Sequence, residues 1–313
     1  MRASRHLRFA VAALCGLAAA CGDSSSPRGD SGSESRAAIR AAVTVPPLAQ
    51  WLSGLGGEDV EVTLLLPAGR SPHMWNPTPS MIEAVRSADL AVAVGGGLDP
   101  WSQPLFATVP SDSRAVEIVP RLVARGLIVF PSHAEAGEED GHAHGDFDPH
   151  VWLDPALAAA ACAELTEVLC ELAPDRSATL RARGEEFQAR LRALADECAA
   201  RGAAMGPRRM VTFHRAWDHL ADALGWEVVD VIERAPGIEP SLREMGGLIE
   251  RLRAGGADLI VAEMQFRPAI AERLAEATGL PLVVLDPLGD PEESVETLFR
   301  ANLDRLEGAL SSQ

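Results

Sequence analysis

The sequence predicts an α/β protein with two lobes of parallel β-sheet flanked by helices, joined by one long rigid backbone helix. Short apolar runs alternate with helical patterns over residues 37–174, and the same alternation resumes over residues 205–313. Between these regions, one helical pattern continues over residues 175–204. The chain has 313 residues, 47% of them hydrophobic, so it is long and apolar enough for two packed domains.

The first twenty residues have the features of a secretory signal. Arginines precede an apolar run from Phe9 to Ala20, which is short for a membrane span of about 20 apolar residues. The segment Leu17–Cys21 resembles a bacterial lipobox, in which the cysteine becomes the lipid-modified first residue. Residues 1–20 are therefore predicted to be a lipoprotein signal peptide, with Cys21 as the lipid attachment site. The alternative is cleavage by an ordinary signal peptidase, with Cys21 incidental.

Composition and charge limit what the rest of the chain can do. Residues 21–36 are rich in Ser, Gly and Asp and lack a hydrophobic pattern, which predicts a flexible tether. The formal net charge of −17 argues against nucleic-acid binding, because such a protein needs basic surfaces to neutralise phosphates.

The first lobe is predicted from four apolar runs and the helical patterns around them. The predicted strands are Ala38–Val45, Val60–Leu66, Asp89–Gly97 and Arg114–Val119. The predicted helices are Pro46–Leu55, Pro79–Ala88 and Pro155–Leu172.

Asp175 is predicted to cap a helix that continues to about Ala204. Its apolar residues fall on one face, at Leu180, Phe187, Leu191 and Leu194. A helix of about 29 residues extends about 44 Å, longer than one small lobe needs, so it is expected to run between two lobes. The predicted strands of the second lobe are Arg209–Phe213, Trp226–Val231, Ala257–Glu263 and Pro281–Asp286. The predicted helices are Arg215–Leu224, Pro240–Arg253, Pro268–Thr278 and Pro291–Leu310.

Four residues far apart in the chain form a candidate metal site. His73 follows the second predicted strand, His214 follows the fifth, and Asp286 ends the last. His150 precedes the helix at Pro155. Ligands of open α/β sheets lie beyond the carboxyl ends of strands, where three of these four residues fall. Three imidazoles and a carboxylate suit tetrahedral zinc, with manganese or iron also possible.

Each of these residues also has an ordinary structural interpretation. A loop histidine such as His73 is often a solvated side chain, His214 could cap the helix that it precedes, and Asp286 could be a turn residue. His150 has the stronger case, because Asp148 and Asp154 could act as acceptors that orient its ring.

Longer segments around these residues resemble the solute-binding proteins of zinc and manganese ABC importers. They lie in the family's order along residues 38–310 and are similar to its metal-binding segments. They are Gly69–Trp101, Asp148–Pro155 (DPHVWLDP), Phe213–Trp226 and Ala262–Gly289.

The resemblance, which is to the zinc-type, cluster A-I lipoproteins of this family, implies His73, His150 and His214 as ligands of a metal in the cleft between the lobes. It carries over Asp286 less directly, because the family's fourth position varies and can be water or another side chain. Glu263 is a weaker candidate for that position and a possible acceptor behind the ligands. The long helix is implied to be the rigid spine between the lobes.

Two features favour zinc over manganese. Manganese members of the family tend to have a carboxylate at the third position, where this chain has His214. Zinc members often carry a His- and acid-rich loop before the second ligand, and Ser132–Asp146 is a short loop of this kind. Its histidines, at positions His133, His142 and His144, could capture zinc weakly; the alternative is a solvated acidic loop. A departure from the family is Met74–Trp75 after the first histidine.

The function expected from the resemblance is that of the extracytoplasmic binding component of a zinc ABC uptake system. The protein would be a lipid-anchored monomer facing the periplasm or cell exterior, and would deliver Zn²⁺ to the transmembrane subunit of an ABC permease. Alternatives are a manganese- or iron-binding member of the same family and a metal-binding surface adhesin. A zinc hydrolase is disfavoured, because the sequence offers no HExxH or HxHxD cluster.

Overall fold

The computed structural model describes residues 37–129, 148–233, 237–266 and 268–311. The described residues from Ala37 onward form one compact unit. The predictions for the signal peptide, the tether with Cys21 and the acidic loop at 132–146 lie outside the described residues. Among the described helices, none is both long and apolar enough to cross a membrane.

The first lobe contains a parallel sheet whose strand order is β2-β1-β3-β4. Its strands are β1 (Ile39–Val43), β2 (Val60–Leu64), β3 (Leu90–Ala93) and β4 (Arg114–Glu117). Its helices are α1 (Pro46–Gly56), α2 (Pro79–Ser87), α3 (Ser102–Phe106), α4 (Ile118–Ala124) and α5 (Pro155–Leu172). All residues of β3 are buried, as expected for a parallel strand covered on both faces.

The second lobe repeats this arrangement in the order β6-β5-β7-β8, again with parallel pairing. Its strands are β5 (Arg209–Thr212), β6 (Glu227–Val231), β7 (Leu259–Glu263) and β8 (Leu282–Leu285). Its helices are α7 (Asp218–Leu224), α8 (Leu242–Arg251), α9 (Ala269–Thr278) and α10 (Val295–Ser311). The predicted fold class of two parallel sheets flanked by helices is therefore confirmed.

One apolar run was assigned to the wrong element at its end. The predicted strand Arg114–Val119 stops at Glu117, and α4 begins at Ile118. Ile118 and Val119 are buried, so burial made a helical start look like the end of a strand. The short helices α3 and α4 were not predicted.

The long helix α6 (Ser177–Met205) has 29 residues and contacts both lobes. It packs against α1 and α5 of the first lobe and against α7 and α10 of the second. Its predicted apolar face is buried, together with Gly184, Cys198 and Gly202. A Cβ at Gly202 would collide with the backbone carbonyl of Leu224, so glycine lets α6 and the end of α7 approach closely.

Arginines on α6 pair with each lobe. Arg183 donates to Asp59 of the first lobe at 2.6 Å. Arg201 donates to Asp304 and Glu307 of α10 at 2.6 and 2.7 Å. The three cysteines of the described residues are free thiols, at Cys162, Cys170 and Cys198.

Candidate metal site

His73 lies in a one-turn 3₁₀ helix, Pro72–Met74, on the loop that follows β2. The indole Nε1 of Trp101 donates to the Pro72 carbonyl at 2.7 Å, in a buried hydrogen bond that ties this turn to the start of α3. His73 itself is half-buried. The first lobe therefore presents this imidazole from a loop that the Trp101 hydrogen bond holds in place.

His150 is held by a single carboxylate, that of Asp148. Asp148 Oδ1 accepts from the His150 backbone N–H at 2.8 Å and lies 2.6 Å from the ring Nδ1. Asp148 Oδ2 accepts from the Asp218 backbone N–H at 3.0 Å, and the Asp148 carbonyl lies 2.8 Å from His219 Nε2. Because Asp148 is anchored from α7, the second lobe helps to fix a ligand candidate of the first. His150 directs Nε2 away from this contact.

His214 has an equivalent partner in the second lobe. It follows β5, and its Nδ1 lies 2.6 Å from Oε1 of Glu263, the last residue of β7. The same oxygen accepts from Trp217 Nε1 at 3.3 Å. In the strand order β6-β5-β7-β8, the topological switch point lies between β5 and β7. Ligands of such sheets bind at this point.

The three Nε2 atoms converge. His73 Nε2 lies 3.2 Å from His150 Nε2, which lies 3.4 Å from His214 Nε2. One ligand atom from each imidazole falls within 4.8 Å of the others. Two nitrogens on a tetrahedral zinc at 2.0–2.1 Å are about 3.3 Å apart, so the spacing suits a single ion.

Electrostatics also favour a cation here. With Nδ1–H directed at a carboxylate, both His150 and His214 turn a lone pair toward the same point. Burial lowers the pKa of His150, and Asp148 offsets this only in part. Burial also acts to lower the pKa of His214, but the surrounding carboxylates, Glu263 foremost among them, together outweigh it, so that pKa is raised. Two buried carboxylates therefore stand behind the imidazoles and compensate a positive charge placed between them.

Asp286 lies outside this group of three imidazoles. Its Oδ1 accepts from Gln265 Nε2 at 3.1 Å and from the backbone N–H groups of Leu288 and Gly289 at 3.0 and 3.1 Å. It therefore organises the turn after β8, whose residues Pro287 and Leu288 line the cavity in front of the histidines. As a direct metal ligand, Asp286 stays a prediction.

The two aspartates that were expected to orient His150 differ in their contacts. Asp154 Oδ1 accepts from the Ala156 N–H at 2.7 Å and caps α5, whereas Asp148 is the carboxylate in contact with His150. Glu263 lies behind His214 and also lines the cavity. The three histidines of the acidic loop, His133, His142 and His144, lie outside the described residues.

Sequence reasoning missed His219 and Gln265. His219 Nε2 lies 2.8 Å from the Asp148 carbonyl, and the residue belongs to a helix that the sequence predicts. Gln265 lines the cavity two residues after β7 ends, so the rule that ligands gather at strand ends could have identified it.

Comparison with known proteins places this geometry in context. The family described as "Zinc-uptake complex component A periplasmic" matches residues 42–309. The zinc-binding lipoprotein AdcA of Streptococcus pneumoniae serotype 4 is 26% identical over 290 residues, covering 91% of this chain and 55% of AdcA. The high-affinity zinc uptake system protein ZnuA of Yersinia pestis is 26% identical over 261 residues, covering 79% of this chain and 82% of that protein. The chain thus spans about half the length of AdcA.

Solved structures show the same architecture. A crystal structure of ZnuA is 25% identical, with a TM-score of 0.74, and the match covers 88% of this chain and 100% of that one. A ZnuA deletion mutant with zinc bound gives 26% identity and a TM-score of 0.73, covering 88% of this chain and 100% of that one. The laminin-binding protein of Streptococcus agalactiae, described as an adhesin with metal-transporting activity, is 22% identical with a TM-score of 0.72, covering 87% of this chain and 99% of that one; this likeness concerns the fold alone.

Proposed function

Since this chain belongs to the family of zinc-uptake complex component A proteins, we propose that it is the extracytoplasmic solute-binding component of a zinc ABC uptake system. It binds Zn²⁺ through His73, His150 and His214, and delivers the ion to the transmembrane subunit of an ABC permease. The metal is its cargo, and the protein is not an enzyme.

The observation that carries the proposal is the convergence of three Nε2 atoms, spaced at 3.2 and 3.4 Å, in the cleft between the lobes. Buried acceptors on Nδ1 fix two of these rings, which is the arrangement that raises the basicity of a histidine ligand. One ligand candidate sits on a loop of the first lobe and another at a strand end of the second. A bound ion would therefore link the lobes, and their separation would release it.

The donor set favours zinc over manganese and magnesium. Imidazole suits zinc, copper, iron and nickel, whereas manganese and magnesium prefer carboxylate, carbonyl and water oxygens. The carboxylates nearest to the imidazoles, Asp148 and Glu263, are engaged with ring Nδ1 atoms. The manganese-binding alternative would require oxygen ligands to replace nitrogen in this group.

Export and attachment complete the proposal. Residues 1–20 serve as the signal peptide, Cys21 carries the lipid, and residues 21–36 tether a monomeric binding unit to the membrane surface. The zinc-binding relative AdcA is itself described as a lipoprotein, which supports the anchor. The acidic loop, with His133, His142 and His144, collects zinc weakly and passes it on.

Calorimetric titration of the purified, metal-free protein with Zn²⁺ and then Mn²⁺ tests the proposal. We expect one tight zinc equivalent that His150→Gln weakens by more than about 100-fold, which is the upper end of the effect of a residue that only orients a ligand. His219→Gln is the matched control, because His219 contacts the Asp148 carbonyl and lies outside the group of three histidines. This variant should weaken zinc binding much less than His150→Gln does. Tight Mn²⁺ binding without Zn²⁺ binding would overturn the choice of metal, and binding of neither ion would overturn the site.

A further inference from the structure

Gln265 lies on the wall of the cavity that the three histidines line. The cavity is lined by His73, His150, His214, Glu263 and Gln265, with Pro287 and Leu288 from the turn after β8. Three imidazoles supply three donors to a tetrahedral ion, which leaves one coordination position to be filled.

The orientation of the Gln265 amide is fixed by Asp286. Gln265 Nε2 donates to Asp286 Oδ1 at 3.1 Å. A carboxylate only accepts hydrogen bonds, so the reversed amide would set one oxygen against another. Asp286 is itself immobilised, because its backbone N–H donates to Asn302 Oδ1 at 2.9 Å and its carbonyl accepts from Asn302 Nδ2 at 2.7 Å. The buried Asn302 on α10 thus anchors the group that orients Gln265.

The oxygen atom of the same amide, Gln265 Oε1, is buried. This atom has no hydrogen-bond partner among the residues that the structure describes, and the same is true of the buried Glu263 Oε2 on the same wall. Burying a polar oxygen unpaired is unfavourable, so such an atom calls for an explanation. Gln50 Oε1 is also buried and unpaired, but Gln50 does not line the cavity, so the location of Gln265 is what points to a ligand.

This inference rests on the proposed function: we propose that Gln265 Oε1 completes the zinc site by accepting a hydrogen bond from a water bound at the fourth coordination position. Asp286 then acts through Gln265 and is a positioning residue, not a ligand. A neutral acceptor keeps a water molecule at that position and adds no further negative charge to a cleft that already contains Asp148 and Glu263. The ion therefore remains exchangeable on one side.

The proposal and direct ligation by Asp286 make opposite predictions for two variants. Gln265→Met keeps the size of the side chain and removes the acceptor. Asp286→Asn removes the negative charge but keeps an Oδ1 that can accept from Gln265, Leu288 and Gly289. Under the proposal, Gln265→Met weakens zinc binding by about ten- to hundredfold and Asp286→Asn weakens it by less than about tenfold.

The measurement is the Zn²⁺ dissociation constant of the full protein, from competition with a chromophoric chelator. The visible spectrum of the Co²⁺-loaded protein accompanies it, because Co²⁺ bands report the ligands around the ion. We expect Gln265→Met to change the Co²⁺ spectrum and Asp286→Asn to leave its bands nearly in place. Gln103→Met, at an exposed glutamine of α3, is the matched control and should alter neither quantity.

A second substitution guards against a variant that does not fold. Gln265→Asn retains the amide but shortens its reach, and it should weaken binding in the same direction as Gln265→Met. The proposal is overturned if both Gln265 variants match the unchanged protein, or if Asp286→Asn weakens binding more than they do. This failure differs from failure of the proposed function, in which the unchanged protein itself does not bind Zn²⁺ or His150→Gln has no effect.

Discussion

The two lobes share one sheet topology but use it differently. In the first sheet the chain changes direction between β1 and β3, and in the second between β5 and β7. Thr44 follows β1, and its hydroxyl donates to the buried Asp99 at 2.5 Å. Asp99 also accepts from the backbone N–H groups of Val94 and Gly95, at 3.0 and 2.9 Å. At the matching place in the second sheet stand His214 and Glu263.

The two lobes differ in whether the polar atoms at these strand ends are already hydrogen-bonded. In the first lobe, both oxygens of Asp99 are occupied by groups of the same lobe, so its carboxylate closes the end of the sheet. In the second lobe, His214 turns Nε2 toward His150, and Glu263 Oε2 has no hydrogen-bond partner within the described part of the chain. The topology provides a crevice in both lobes, and the side chains at the strand ends decide which crevice can bind an ion.

The largest effect is expected from Asp99→Ala. This change leaves the Thr44 hydroxyl and two backbone N–H groups without their acceptor in a buried site, which should lower the free energy of unfolding by about 3 kcal/mol or more. Chemical denaturation of the metal-free protein measures it. Thr44→Val, which removes a single bond, should lower it by about 1 kcal/mol. Zinc affinity of the folded fraction should stay unchanged in both variants; a loss of affinity would contradict the contrast between the two strand ends.

Glu263→Gln should act mainly on zinc binding. The amide oxygen can still accept from His214 Nδ1, but the negative charge behind the ring is lost. We expect zinc affinity to fall by about ten- to hundredfold, or roughly 1.4–2.7 kcal/mol. Asp148→Asn makes the matching change behind His150 and should act in the same direction. Competition titration measures both, and an unchanged affinity in both variants would show that the carboxylates do not tune the site.

A smaller effect is expected where α6 meets the second lobe. Gly202→Ala places a methyl group against the Leu224 backbone carbonyl, which cannot move without disturbing α7. The repulsion outweighs the gain in helix propensity, and we expect a net loss of stability of about 1 kcal/mol. Gly308→Ala on α10 is the control, since its Cβ would meet nothing within 4 Å, and it should be neutral or slightly stabilising. Equal melting temperatures for the two variants would rule out a tight contact at Gly202.

The smallest effect concerns acid stability at the first-lobe end of α6. The hydrogen bond from Arg183 is the main cause that holds the pKa of Asp59 below its usual value near 3.8. Because the folded pKa is lower than the unfolded one, the contribution to stability is present above the unfolded pKa. It is lost as the pH falls through the folded pKa. Asp59→Asn should therefore reduce the loss of stability below about pH 4. Urea unfolding at pH 3 and pH 6 measures this, and an identical pH dependence in both proteins would contradict it.

Much of the fold could be read from the sequence because it depends on local patterns. Apolar runs gave the strands of both sheets, and the spacing of Leu180, Phe187, Leu191 and Leu194 gave the buried face of α6. The predicted helix of about 29 residues matches α6 in length. The end of β4 was misplaced because a buried helical start and a buried strand share the same composition.

The candidate site was predictable only in part. Its three histidines stand beside strand ends or a predicted helix start, so their positions in the chain already marked them. Asp148 stands two positions from His150, so it could be named from the sequence as an acceptor for that ring. The Nε2 distances, the contact of His214 with Glu263 and that of Asp286 with Gln265 depend on residues that lie up to 77 positions apart.

The sequence by itself determined the two α/β lobes, the helix between them and the residue types that can bind a metal. Only the tertiary structure decided which nitrogen of each imidazole faces the others, and which oxygen remains unpaired beside them. The physical reason is that secondary structure follows from short-range periodicity and burial, whereas a ligand cluster requires side-chain rotamers from both lobes to meet. Hydrogen-bond partners supplied by distant segments set those rotamers.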